Sequence, residues 1–154
     1  MQFTSVFSIS ALILSVLAAP QPVIKSPSSI DPKALDRRAP PETLILANCD
    51  PNGDSKSANI LYYKAGHEAK GAPDDNCSLP WLPWEDHTIT CKFMPSATTV
   101  TVELDDGASH YPFQAVAGSA NNGRRSFLCR RDNEHIVWTA NRLSCRAIYY
   151  CQVY

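Results

Sequence analysis

Four positions carry side chains that can move protons and hold developing negative charge: His87, Glu103, Arg125 with its neighbour Arg124, and His135. An imidazole or carboxylate takes a proton from a hydroxyl, a second imidazole returns one to a leaving oxygen, and a guanidinium stabilises the charge between them. Stronger catalytic patterns are missing from the sequence. There is no Gly-x-Ser-x-Gly elbow and no His-Glu-x-x-His, and the pair His67-Glu68 stands alone in a Gly-containing loop. The six cysteines, Cys49, Cys77, Cys91, Cys129, Cys145 and Cys151, contain no CxxC pair, and no Cys/His set has zinc spacing. Neither a metal nor a cofactor is expected.

The segments ahead of these residues read as processing signals. Ala11 to Leu14, with Val16 and Leu17, makes an apolar run followed by the small residues Ala18 and Ala19. It suits a signal-peptide core and is too short to span a bilayer, which needs about 20 apolar residues. Residues 1–18 are expected to be the signal peptide. The Pro- and Ser-rich stretch that follows has no apolar periodicity and cannot offset its ordering entropy. It ends in Arg37-Arg38, a dibasic pair that reads as a cleavage site. Residues 19–38 are expected to be a propeptide and residues 39–154 the mature domain. No later segment is apolar and long enough for a membrane anchor.

All six cysteines fall in the mature part. An even number behind a signal peptide implies three disulfides in a secreted protein, with 15 possible pairings. A bond from Cys151 to Cys49, locking the two ends of the domain, is the preferred pairing. Cys145 and Cys151 are six apart and share a face on a regular strand, too far apart to bond to each other.

Charge is uneven. Residues 39–110 hold eleven acids against four lysines, and residues 111–154 hold six arginines against Asp132 and Glu134. This balance does not support general polyanion binding. The pairs Arg124-Arg125 and Arg130-Arg131 either face water and the acidic part of the domain or form a phosphate-binding patch. Trp81 and Trp84 flank Leu82-Pro83; they either cover the core or form an aromatic platform for sugar rings. Asn76-Cys77-Ser78 is an N-glycosylation sequon in a Pro/Asp-rich loop.

Strand signals dominate. Thr43 to Ala47 and Ala58 to Lys64 flank Asp50-Pro51-Asn52-Gly53-Asp54, so a hairpin is expected there. Gly66 to Pro83 reads as loop. Further strands are expected over Thr88–Phe93, Thr98–Leu104, Tyr111–Val116, Ser126–Arg130, Glu134–Trp138 and Arg146–Val153. In Thr98–Leu104 the apolar residues Val100, Val102 and Leu104 alternate with Thr99, Thr101 and Glu103. Gly118–Gly123 reads as a turn, and Thr139–Leu143 as one helical turn. The fold class is therefore mainly β with little helix: a small, disulfide-stabilised antiparallel sandwich or barrel.

The block Arg125-Ser126-Phe127-Leu128-Cys129-Arg130-Arg131-Asp132-Asn133, with Cys145-Arg146-Ala147-Ile148-Tyr149-Tyr150-Cys151, resembles small secreted cysteine-rich proteins of filamentous ascomycete fungi. Asn48-Cys49 and Tyr62-Tyr63 are similar to the same group. That resemblance implies an effector-like protein that binds a host protein or a cell-wall glycan, in virulence or at the cell surface.

The chain is also similar in size, β content and terminal cysteines to secreted fungal guanyl-specific ribonucleases. Their order of His, Glu, Arg and His is met by His87, Glu103, Arg124 or Arg125, and His135. The resemblance implies removal of a 2′-OH proton, protonation of the leaving oxygen by the second histidine, and arginine on the phosphorane. The interval from arginine to the last histidine is shorter than in that family, and the flanking residues differ. Binding is therefore the first expectation, and cleavage or binding of RNA the alternative.

Overall fold

The structure, a computed structural model, describes residues 39–51 and 56–154. The expected signal peptide, the propeptide with its dibasic end and the Asn52-Gly53 turn lie outside the described residues.

Nine strands form one antiparallel sheet: β1 (Thr43–Pro51), β2 (Ser57–Tyr63), β3 (Asp75–Pro80), β4 (Thr88–Lys92), β5 (Thr99–Leu104), β6 (Val116–Asn121), β7 (Ser126–Arg131), β8 (Ile136–Ala140) and β9 (Leu143–Val153). The expected hairpin is β1–β2, with Thr43 opposite Tyr63 and Cys49 opposite Ser57. Eight strands run in the order β3-β2-β1-β9-β7-β6-β5-β4, and β8 attaches to β9. The sheet curls into a nearly closed barrel, so of the two expected architectures the barrel is the one formed. Its end strands, β3 and β4, are joined by the Cys77–Cys91 disulfide and by the Ser96 N–H donating to Asp75 Oδ2 at 3.2 Å.

Alternation fills the interior. Leu44 and Leu46 from β1, Ile60 from β2, Val100 and Val102 from β5, and Phe127 from β7 are completely buried in one cluster. A second cluster lies on the other face of β1, β2 and β9, where Ile45, Ala47, Leu61, Tyr63 and Ala147 meet Val137 of β8. The sheet is therefore buried on both faces there, which explains the unbroken apolar run Leu44 to Ala47.

β9 crosses from one cluster to the other. In its pairing with β1, Tyr149 faces Leu46 but Ala147 faces Ala47, so β9 carries one extra residue. Such a bulge reverses which side chains point inward. Tyr149 and Cys151 thus lie in the barrel, and Cys145 and Ala147 lie outside it under β8. The expectation that Cys145 and Cys151 share a face fails because the strand is not regular.

The expected Cys49–Cys151 bond is also replaced. The bonds are Cys49–Cys145, Cys77–Cys91 and Cys129–Cys151, and no described cysteine is free. Cys49 lies directly across from Cys145, and Cys129 directly across from Cys151. The ladder register selects these pairs, and the bulge puts Cys49 and Cys151 on different faces.

Four local expectations change. Residues 111–115 are not a strand; a short 3-10 turn at Ala108–His110 leads through them into β6. β6 runs through Gly118, expected to be a turn. Its register shifts between Val116 and Gly118, so Ala117 and Ala120 both face the core and the alternation is hidden. Gly118 has φ 142, and a Cβ there would stand 2.2 Å from the Glu103 carbonyl oxygen. Only glycine lets β5 and β6 approach that closely. β3 lies within the expected Gly66–Pro83 loop; Pro80 is tolerated because β3 is an end strand. The expected helical turn at Thr139–Leu143 is instead the end of β8 and a two-residue reversal, with φ 46 at Asn141 and 72 at Arg142. Positive φ at both central residues matches the twist of a tight hairpin.

Candidate functional site

Antiparallel order places alternate connections at opposite ends of the barrel. At one end lie Glu42, the end of β2, the start of β3, the β4–β5 turn and the β6–β7 turn. Together they frame a cavity of about 800 Å³, here called the Glu42 mouth. At the other end lie the start of β2, the β3–β4 loop and the β7–β8 loop. The two ends are about 23 Å apart along β1, at 3.3 Å per residue.

Tyr62 and Phe93 line the Glu42 mouth, with ring centroids 5.9 Å apart. Phe93 belongs to the core and Tyr62 packs partly against it. Glu42 is held in place: Oε2 takes the Arg125 Nε–H at 3.0 Å and Oε1 takes the Asn122 amide at 3.3 Å. Burial, followed by the Glu42 charge, pushes the Tyr62 phenol up from its ordinary value. The phenol therefore stays protonated at neutral pH and can donate.

Asp74 accepts the Lys64 backbone N–H at 3.0 Å, the His67 ring Nδ1 at 2.6 Å and the Lys64 ammonium at 3.2 Å. The Lys64 N–H is the largest of these influences, and together they hold the Asp74 carboxyl down at about 2. Asp75 is buried, and its two oxygens take the N–H groups of Asn76 and Ser96. The turn above is set by Asn122, whose Oδ1 accepts the N–H groups of Arg124 and Arg125. That turn directs Arg124 to the rim, where its guanidinium has no partner among the described residues.

The sequence-derived candidates are distributed as follows. Arg124 and Arg125 are at the Glu42 mouth. Arg130 and Arg131 are at the far end of β7, about 17 Å along the strand, so the four arginines are not one patch. Arg130 donates to the Gln114 carbonyl. Arg131 donates to the Ile148 carbonyl and to Glu134, and lies 5.3 Å over the Tyr149 ring. Trp84 is 2% exposed and its Nε1 donates to Asn48 Oδ1 at 2.9 Å, whereas Trp81 is 54% exposed. One tryptophan covers the core and only the other is available to solvent.

Of the acid–base set, His87 precedes Thr88, whose hydroxyl reaches Glu103 at 3.5 Å on the outer surface. His135 bonds to Asp132 and Asn133 beyond β7. Arg125 is at the opposite end of β7, paired to Glu42. The four residues do not converge on one reacting centre. Among the described residues no group of three or more His, Cys, Asp or Glu side chains is arranged to hold a metal. Asn76 is half-buried on end strand β3, not in a loop, and its neighbour Cys77 is bonded to Cys91.

Glu42, Tyr62, Phe93 and Asn122 were not evident as site residues in the sequence. They come from separated segments with no common spacing, and barrel closure alone brings them together. The mouth offers the half-buried Tyr62 ring, a fixed carboxylate acceptor and a guanidinium that is unpaired among the described residues. That set suits a polar ring compound with one apolar face.

Comparison with protein-family models returns no match, and comparisons with curated proteins and with solved structures return none either. Among the described residues no helix is long and apolar enough to cross a membrane. Three disulfides are consistent with an extracellular protein.

Proposed function

We propose that this chain is a secreted, effector-like binding protein of the fungal cysteine-rich type, and that its Glu42 mouth holds a glycan of a host or cell surface. The observation that carries this reading is the cavity itself: about 800 Å³, with the half-buried Tyr62, backed by the core ring of Phe93, as its aromatic wall and Arg124, unpaired among the described residues, at its rim. Sugar rings stack their C–H faces on such walls and exchange hydroxyl hydrogen bonds with carboxylates and guanidinium groups. Barrel closure pre-forms the cavity, so little ordering entropy opposes binding. The ribonuclease alternative lacks comparable support, because Arg125 and His135 are at opposite ends of β7.

The test uses the full chain expressed through a secretory pathway with its disulfides formed. Binding is screened against immobilised cell-surface oligosaccharides, and hits are titrated by calorimetry with Arg124→Ala and Tyr62→Phe. The expected result is binding weakened about tenfold or more by Arg124→Ala, equivalent to about 1.4 kcal/mol. Binding indifferent to both substitutions, or no glycan bound by a folded sample, overturns the reading. RNA cleavage abolished by His135→Ala would replace it with the catalytic one.

A further inference from the structure

The opposite mouth of the barrel carries a second, differently charged arrangement. Asn48 and Asp50 of β1 face Arg146 and Ser144 of β9 in direct register. With Lys56, Glu134 and Arg142 they line a cavity of about 450 Å³. Within it, Asp50 Oδ1 is buried and has no hydrogen-bond partner among the described residues. A buried acceptor left unsatisfied is costly, and more so when charged, which makes this oxygen a place for a donor from outside the fold.

The neighbouring groups do not fill that role. Asn48 Oδ1 is occupied by the Trp84 indole, and Glu134 takes the Arg131 guanidinium. Arg146 donates to the Glu134 carbonyl oxygen at 3.4 Å, and Lys56 and Arg142 have no partner among the described residues. No carboxylate lies within ion-pair distance of these three cations among the described residues. With Glu134 engaged by Arg131, the cavity sets three cations against Asp50.

We propose that this Asp50 mouth is a second ligand site, for a small hydroxylated anion whose anionic group meets Lys56, Arg142 and Arg146 while a hydroxyl donates to Asp50 Oδ1. The excess of cations requires a net negative ligand, and the orphan carboxylate oxygen requires a donor beside the negative group. A sugar acid and a sugar phosphate both meet that description, and the volume suits about one monosaccharide unit. The site shares no lining residue with the Glu42 mouth, so it does not depend on the function proposed above.

Glucuronate, glucose 6-phosphate, glucose and inorganic phosphate are titrated separately into the isotope-labelled, oxidised full chain and followed by NMR. Either or both of the two hydroxylated anions are expected to shift resonances of β1 and β9 near Asp50 and Arg146, and which of them binds identifies the anionic group. Glucose should bind at least tenfold more weakly, and so should inorganic phosphate. Arg142→Gly, which suits the φ of 72 at that position, and Arg146→Gln should each weaken binding at least tenfold. Asp50→Ala should weaken binding without lowering the melting temperature. Arg124→Ala should leave the affinity unchanged.

Equal binding of glucose, or of inorganic phosphate, overturns the proposal, as does the absence of binding by either hydroxylated anion. Asp50→Ala that destabilises the domain and leaves affinity intact makes Asp50 a structural residue and also overturns it. Binding lost in Arg124→Ala would place the ligand at the Glu42 mouth instead.

Discussion

Removing the Cys77–Cys91 bond separates the stability of the barrel from its closure. The three disulfides close chain intervals of 96, 14 and 22 residues for Cys49–Cys145, Cys77–Cys91 and Cys129–Cys151. Loop-closure entropy then assigns them about 4.7, 3.0 and 3.4 kcal/mol respectively. By that measure the Cys77–Cys91 bond matters least to global stability. Its position reverses the order locally. The other two bonds join strands already hydrogen-bonded in register, so the ladder remains when they are removed. β3 and β4 share no ladder, and Cys77–Cys91 bridges that gap. Cys77→Ala/Cys91→Ala should lower the unfolding free energy in urea by about 3 kcal/mol. Amide exchange should rise first and most in β3 and β4, through opening events below the global free energy. Cys129→Ala/Cys151→Ala should lower protection evenly. Unchanged protection of β3 and β4 in the first variant would refute the reasoning, because some other contact would then close the barrel.

Other expectations concern single positions. Gly118→Ala should destabilise by about 3 kcal/mol or more in the same urea assay, because its Cβ meets the Glu103 carbonyl oxygen and its φ disfavours side chains; a near-neutral effect would show that β5 can move away. Trp84→Ala should cost about 3–5 kcal/mol, whereas the exposed Trp81→Ala should stay within about 0.5 kcal/mol, and the reverse order would contradict their burial. The Asp74 carboxyl is depressed to about 2, from 3.8, chiefly by the Lys64 N–H. Its contribution is therefore complete above about pH 4 and is lost as pH falls toward 2. Asp74→Asn should lower stability at pH 7 and flatten the acid limb between pH 4 and pH 2; an unchanged limb would assign acid sensitivity to other groups.

Much of the domain was legible from local pattern. Val100, Val102 and Leu104 alternate and are buried as alternation requires, and the strand around Phe127 follows the same rule. Cysteine parity indicated three bonds, and three form. The misreadings of β6 and of the faces of β9 share one cause. Irregular pairing at Ala117 and Ile148 changes which side chains face inward, and a period-two pattern cannot register an extra residue that only the partner strand defines. The same limit hid the cysteine pairing, since register, not chain order, places Cys49 against Cys145.

The sequence by itself determined the β class, the apolar faces and the disulfide count, because these depend on residue type and near-neighbour spacing. Only the tertiary structure decided the rest: closure into a barrel, the burial of Trp84 beside the exposure of Trp81, and the separation of Arg125 from His135. It also assembled both mouths, each lined by side chains from distant segments. Such groups come within reach of each other only when long-range pairing closes the sheet, and no local property of the chain encodes that distance.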